Sequence, residues 1–440
     1  LSPVDIVKFS LAYGTLLGRR HRVKRLMVVI GRYAMRSGSM VSSLVSNTLR
    51  SLGIDVTDIG LASTPTVEMA VTGTGANGGI IITASHNPAE WNALKLLNEK
   101  GEFLSASDGN ELLSIAESED FSYAPLDETG SYVHDDSWSR IHIEQVLALN
   151  LVDRKAVANA GFTVAVDCVN SVGGIIVPAL LKSLGVKNIV ELNTTPDGHF
   201  AHNPEPLPAN LGEISSLMAS SGADVGFVVD PDVDRLAIIC EDGSMFGEEY
   251  TLVAVSDYVL AVTPGNTVSN LSSTRALKDI TEKHGGQYFT AMVGEVNVVE
   301  EMKKRGAVIG GEGNGGVIYP ALHYGRDAVA GIALFLSHLA LSGMKCSELR
   351  KTYPDYFMAK KKLDLPEGIS FQRILDSVRE DFAGHEMDER DGMRIEYGNG
   401  WVQVRKSNTE PVMRVYAEGP TPEEAEGLAD KVIEIVKKVK

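Results

Sequence analysis

Three times along this chain an apolar strand empties into the most polar loop of its neighbourhood, with helix-like stretches between the strands. The first pass opens on a strand at 26–30 and continues through a helical segment to Leu52 and a strand at 53–56. It closes on the run Gly79, Ile80, Ile81, Ile82, which leads to Ser85. The second opens on 163–167, carries a helix across 178–185, and closes on 223–229 running into Asp230. The third has a helix at 275–284, a strand at 287–290, and a strand at 307–310 leading into Gly311 and Glu312. Strands alternating with helices imply βαβ units and largely parallel sheets. Such sheets bind ligands beyond the carboxyl ends of their strands, so chemistry is expected in these loops. The carboxyl-terminal stretch differs: alternating strands at 401–405 and 413–416 flank a polar turn, and 423–440 reads as an amphipathic helix. The expected fold is three related α/β domains with mixed or parallel sheets, at 1–150, 151–247 and 248–356, followed by a small α+β domain at 357–440.

A chain of 440 residues has room for several domains with large cores. Its 44% hydrophobic and 22% charged residues are those of a soluble globular protein. The net charge of -17 argues against nucleic acid as a partner, because phosphate backbones demand basic patches. An anionic small molecule would need local cations to overcome that field. Cys168, Cys240 and Cys346 are far apart and form no metal-binding or disulfide framework, so buried inert thiols are expected. No apolar run is long enough to span a bilayer and no signal peptide is visible, which points to a cytoplasmic protein without membrane partners.

Four loops carry the polar chemistry. Thr83-Ala84-Ser85-His86-Asn87-Pro88 follows the isoleucine run and holds a serine at a sheet edge beside a histidine. A serine hydroxyl is a weak nucleophile, so its setting must activate it, or it must already carry the group to be transferred. Asp230-Pro231-Asp232-Val233-Asp234-Arg235 places three carboxylates at alternate positions. Anions this close resist ionisation unless a cation sits among them, and oxygen-only ligands suit Mg²⁺. A calcium EF-hand fails here: Arg235 stands at the glycine position, and 236–240 is a strand rather than a helix. In Gly310-Gly311-Glu312-Gly313-Asn314-Gly315-Gly316 the glycines match a dinucleotide fingerprint, but the following Val317 to Pro320 cannot open a helix. Gly73, Gly75 and Gly78 give a second false match that precedes its strand. Sugar binding is the better use of Glu312 and Asn314, whose polar groups suit vicinal hydroxyls. Finally, Arg405-Lys406-Ser407-Asn408-Thr409-Glu410-Pro411, with Arg414 beyond, gathers cations, hydroxyls and an amide in one turn suited to a phosphate.

Taken together, and in this order, the four loops resemble those of the α-D-phosphohexomutase family over nearly the whole chain. Asp197-Gly198-His199-Phe200 and Asn203-Pro204-Glu205-Pro206 resemble a further recurrent stretch of that family. The resemblance implies that the fourth domain is TATA-binding-protein-like. It implies that Ser85 carries a phosphoryl group, donates it to a hexose phosphate, and recovers the other phosphate from the bisphosphosugar. Mg²⁺ is then expected on Asp230, Asp232, Asp234 and an oxygen of phosphorylated Ser85, with glucose or glucosamine 1,6-bisphosphate as activator. Lys95 is the implied general base, His86 helps position the phosphoryl group, and Arg235 supports the metal loop. Glu312 and Asn314 are expected to grip sugar hydroxyls, and Arg405, Ser407, Asn408 and Thr409 the phosphate that is not reacting. The partner is a small sugar phosphate, and the protein is expected as a monomer or homodimer.

Some positions depart from the family. The chain begins at Leu1, without the early strand that supplies an arginine near the phosphoserine. Tyr33 and Met35 stand where relatives favour aspartate and arginine, and Asn314 and Gly316 where many have serine and histidine. For the sugar, Val293-Gly294-Glu295-Val296-Asn297-Val298 resembles the acidic version found in phosphoglucosamine mutases, with Glu295 placed to meet an ammonium. Asn408 argues the other way, since many glucosamine-specific members have glycine there. Conversion of glucosamine 6-phosphate to glucosamine 1-phosphate is the expected reaction, with phosphoglucomutase/phosphomannomutase activity as the alternative. Two other classes are open on the residues alone. One is a haloacid-dehalogenase-type phosphatase using the first aspartate of Asp-x-Asp; the other is a non-catalytic sugar-phosphate-binding protein.

Overall fold

The computed structural model describes residues 1–87, 90–364, 370–407 and 412–439. It divides into two compact units, Leu1–Val259 with Asn314–Arg350, and Leu260–Gly313 with Lys351–Lys440. The first unit contains two α/β sheets. In one, the strand order is Leu94–Leu97, Gly78–Ile82, Met27–Arg32, Asp55–Leu61, Tyr132–His134, parallel except for the antiparallel edge strand Leu94–Leu97. Ile80, Ile81 and Ile82 are all fully buried because helices cover both faces of this strand's sheet, which explains an apolar run without alternation. The other sheet orders Asn188–Leu192, Thr163–Asp167, Val225–Val229 and Leu236–Cys240, the last again antiparallel.

Among the elements without a counterpart in the sequence reading is the helix Pro3–Arg20. Its start is fixed by a capping box in which the Ser2 hydroxyl accepts from Asp5 N while the Asp5 carboxylate accepts from Ser2 N. The helix buries Tyr13, whose hydroxyl donates to the carbonyls of Gly79 (3.1 Å) and Leu97 (2.7 Å). A Cβ at Gly78 would collide with that hydroxyl, so the glycine admits the tyrosine to the sheet. The "second fingerprint" glycines thus have local duties: Gly75 ends the helix Thr64–Thr74 in the left-handed conformation (φ 68°).

In the second unit, Tyr288–Ala291, Asn266–Asn270 and Ala307–Glu312 form parallel pairs. The carboxyl-terminal sheet is antiparallel, ordered Phe357–Asp364, Val412–Gly419, Gly400–Lys406, Met393–Tyr397, Met387–Asp388. Helices Phe371–Asp381 and Pro422–Lys438 share one apolar core with it, built around Phe382, Val404, Met413, Val415 and Val432. Three α/β sheets and a terminal antiparallel α+β sheet are the expected architecture. Gly316–Ile318, after the glycine-rich loop, is a strand rather than a helix. All three cysteines are free and buried. No helix among the described residues is long and apolar enough to cross a membrane.

Candidate active site

Ser85 sits just past the strand Gly78–Ile82 with φ 53°, a left-handed conformation that a non-glycine residue adopts at a cost. The turn that holds it is closed by its own polar side chains. Thr83 Oγ1 accepts from Ser85 N at 2.8 Å, and Asn87 Nδ2 donates to the Ala84 carbonyl at 2.8 Å. The Ser85 hydroxyl lies 3.2 Å from His86 Nδ1. Burial and the neighbouring Arg235 guanidinium push the pKa of His86 down to about 3, so its imidazole is neutral and can accept a hydrogen bond from the serine hydroxyl.

The aspartate loop packs beside this turn. Asp230, Asp232 and Asp234 are fully buried, with carboxylate oxygens within 4.8 Å of one another. Each uses one oxygen on the protein. Asp230 Oδ1 accepts from the amides of Asp234 and Arg235, both at 3.1 Å. Asp232 Oδ2 accepts from Thr64 Oγ1 (2.7 Å), Thr83 Oγ1 (3.0 Å) and Lys95 Nζ (2.8 Å). Asp234 Oδ2 accepts from Arg326 Nη2 at 2.7 Å and Lys95 Nζ at 3.3 Å. The second oxygens, Asp230 Oδ2, Asp232 Oδ1 and Asp234 Oδ1, are buried without a hydrogen-bond partner among the described residues. Three orphaned carboxylate oxygens in one small space are costly alone and fit a hard divalent cation. Burial and the two other aspartates raise the Asp230 pKa well above the carboxylate range. For Asp234 burial pulls the same way, but Arg326, Lys95 and Arg235 prevail and lower it.

The loop backbone is clamped from several sides of the first unit. Ser171 Oγ donates to the Pro231 carbonyl at 2.6 Å, Thr64 N to the Asp232 carbonyl at 2.9 Å, and Leu236 N to the Gly315 carbonyl at 3.1 Å. Gly315 has φ 83°, and a Cβ there would strike the Leu236 carbonyl, so the glycine-rich loop can approach the aspartate loop only as glycine. Arg235 reaches Glu205 Oε1 (3.4 Å), which also lies 3.7 Å from His86 Nε2.

Lys95, expected as the general base, lies 2.8 Å from Asp232 Oδ2 and 3.3 Å from Asp234 Oδ2. Burial alone would lower its pKa, yet Asp232 and Asp234 hold it above that of a free lysine, as an ammonium. In this state it is a cationic clamp and proton donor; a base role requires it to lose those partners. Asn314, expected on a sugar, has its Oδ1 turned back onto Gly316 N at 3.2 Å. In the second unit, Glu312 Oε1 accepts from Asn270 Nδ2 (2.8 Å) and Gly294 N (3.1 Å), which brings the 293–298 stretch to it. Glu295 opens the helix Glu295–Arg305 and is buried. Arg405 is buried, with Nε and Nη1 lacking a hydrogen-bond partner among the described residues; Asp391 Oδ2 stands 3.8 Å off. A buried cation with unused donors suits an anion. Ser407 N is tied to the Val412 carbonyl at 2.9 Å, and Asn408 and Thr409 lie outside the described residues.

The sequence reading missed Thr64, Thr83, Glu205 and Arg326 as members of the site. Thr83 and Glu205 lie inside stretches singled out for other reasons. Thr64 and Arg326 carry no local signal: they reach the aspartates across 168 and 92 residues of chain.

Comparison with known proteins agrees with this geometry. Descriptions of phosphoglucomutase/phosphomannomutase alpha/beta/alpha domains I, II and III match residues 1–123, 140–243 and 247–356, and that of the C-terminal domain matches 362–435. The chain belongs to the phosphoglucomutase/phosphomannomutase family. It is 37% identical over 429 residues to a phosphoglucomutase/phosphomannomutase of Thermococcus kodakarensis, covering 97% of this chain and 92% of the relative. It is 32% identical over 443 residues to a probable phosphoglucosamine mutase of Methanopyrus kandleri, covering 100% and 95%. A solved phosphoglucomutase/phosphomannomutase family protein from Burkholderia thailandensis superposes with a TM-score of 0.86 at 26% identity, covering 100% of this chain and 94% of that one.

Proposed function

We propose that this family member is a phosphohexomutase, an isomerase that converts glucosamine 6-phosphate to glucosamine 1-phosphate through phosphorylated Ser85. The observation that carries the reading is the set of three orphaned aspartate oxygens, joined to the serine turn by Thr83, which bonds both Ser85 N and Asp232. Asp230, Asp232, Asp234 and an oxygen of phosphorylated Ser85 would hold Mg²⁺, whose positive charge would offset the negative charge that develops during phosphoryl transfer. In the first transfer the bond from phosphorus to Ser85 Oγ breaks and a bond to a sugar hydroxyl oxygen forms, that hydroxyl's proton passing to solvent or a nearby base. Neutral His86, 3.2 Å from Oγ, orients the serine. Glu312 is assigned to sugar hydroxyls and Arg405 and Ser407, with Asn408 and Thr409, to the idle phosphate. Arg235 braces the aspartate loop through Glu205. Glucose or glucosamine 1,6-bisphosphate primes the serine, and the work is placed in the cytoplasm.

For the sugar, the acidic stretch around Glu295, whose neighbour Gly294 bonds Glu312, supports an amino sugar, hence glucosamine. Several relatives named probable phosphoglucosamine mutase support the same choice. The relative at 37% identity, named phosphoglucomutase/phosphomannomutase, keeps glucose and mannose phosphates as the second reading. The ³¹P NMR spectrum of the Mg²⁺-loaded protein, primed with bisphosphosugar and offered glucosamine, glucose and mannose 6-phosphates in turn, tests all of this. A 1-phosphate signal growing fastest from glucosamine 6-phosphate is expected. Faster conversion of glucose or mannose would move the substrate, and inorganic phosphate alone would sink the mutase in favour of a phosphatase.

A further inference from the structure

One buried polar group beside the serine turn is unused by the scheme above. Tyr33 follows the strand Met27–Arg32, where Arg32 pairs with Ile82, so Tyr33 stands level with Thr83. Its amide donates to the Ile82 carbonyl at 3.3 Å, which locks that level. Residues level with one another in neighbouring parallel strands direct their side chains to the same face, and that of Thr83 points at Asp232. The tyrosine ring is fully buried and stacks on Phe200, with centroids 6.2 Å apart. Its hydroxyl is buried and has no hydrogen-bond partner among the described residues. The Ala84 backbone approaches it without the geometry of a hydrogen bond, and the charges of Asp232, Lys95 and Asp230 are felt at it. A buried phenol without a partner is destabilising, so its retention next to a nucleophile calls for a ligand.

We infer that the Tyr33 hydroxyl donates a hydrogen bond to a non-bridging oxygen of the phosphoryl group on Ser85, an inference that rests on the phosphoserine reading above. Burial, against the opposing pull of the Ala84 backbone and with the help of Asp232, raises the phenol pKa to about 12, so the group is a neutral donor throughout the working pH range. Because the hydroxyl addresses a group carried by the enzyme, it acts on transfer more than on sugar binding.

The test is Tyr33→Phe, which keeps the stack on Phe200 and deletes one oxygen. The ³¹P resonance of phosphorylated Ser85 is expected to move. The single-turnover rate of transfer to sugar should fall about tenfold or more, with KM nearly unchanged. A second variant, Phe200→Leu, loosens the ring's packing but keeps the hydroxyl and should slow transfer less. Transfer at the parent rate in Tyr33→Phe would overturn the inference, leaving the phenol a packing group. Equal losses in the two variants would do the same. Absence of any phosphoserine resonance in the parent protein would overturn the phosphoserine reading itself, and this inference with it.

Discussion

Replacing Asp327 with alanine should unlock the helix Ala328–Ser342 and, through it, the aspartate loop. Asp327 Oδ1 caps this helix, accepting from the amides of Val329 (2.8 Å) and Ala330 (3.1 Å). Its Oδ2 receives His142 Nε2 at 2.8 Å and His323 Nε2 at 3.2 Å, and His323 Nδ1 lies 3.3 Å from Glu68 Oε2. Loss of a cap costs about 1 kcal/mol, and removal of one partner from a buried ion pair about 3–5 kcal/mol. Together these give about 4–6 kcal/mol, or roughly a 10³- to 10⁴-fold rise in local opening at about 1.4 kcal/mol per decade. Hydrogen–deuterium exchange of the helix amides is the assay, since a chain of several domains need not unfold in one step. The neighbouring Arg326 grips Asp234, so Mg²⁺-dependent stabilisation should weaken as well.

The same network has a pH signature. Burial opposes protonation of His323, but its bonds to Asp327 and Glu68 prevail and raise its pKa to about 10. That is above its value of about 6.5 in an unfolded chain. The stabilisation is therefore complete below about pH 6.5, declines by about 1.4 kcal/mol per unit above it, and is lost as pH rises through about 10. Asp327→Asn keeps the cap and removes the charge, so its decline over this window should be shallower than the parent's. Exchange in Asp327→Ala accelerated by less than about tenfold, or identical pH slopes after correction for intrinsic exchange, would refute the reasoning.

Other perturbations test the site more directly. Ser85→Ala should leave a folded protein that never acquires a phosphoryl mass and has no mutase turnover; retained turnover would point to Asp230 as nucleophile. Lys95→Met removes a cation bound to Asp232 and Asp234, so the rise in thermal midpoint on adding Mg²⁺ should exceed the parent's, while turnover is lost. A smaller Mg²⁺ response would show that Lys95 does not compete for that charge. Gly315→Ala combines a left-handed backbone with a clash against the Leu236 carbonyl, and should cost about 2 kcal/mol or more of thermal stability in melting experiments.

Much of this protein is legible in its sequence because the relevant physics is local. Apolar runs such as Gly78–Ile82 and Val225–Val229 announce buried strands, and the polar residues immediately after them can only fall at strand carboxyl ends. Alternate aspartates in so short a loop crowd one another, so the acidic loop is visible from spacing alone. The helix Pro3–Arg20 does carry local signals, the Ser2/Asp5 capping box and Arg19 and Arg20 in its last turn, but what it contributes, Tyr13 bonding Gly79 and Leu97, is tertiary. The tertiary structure alone decided which oxygen of each aspartate is used and which is left bare. It alone set Lys95 against Asp232 and brought Thr64, Glu205 and Arg326 to the site. These are contacts between residues far apart in the chain, and their charge states follow from burial and from partners that no local pattern specifies.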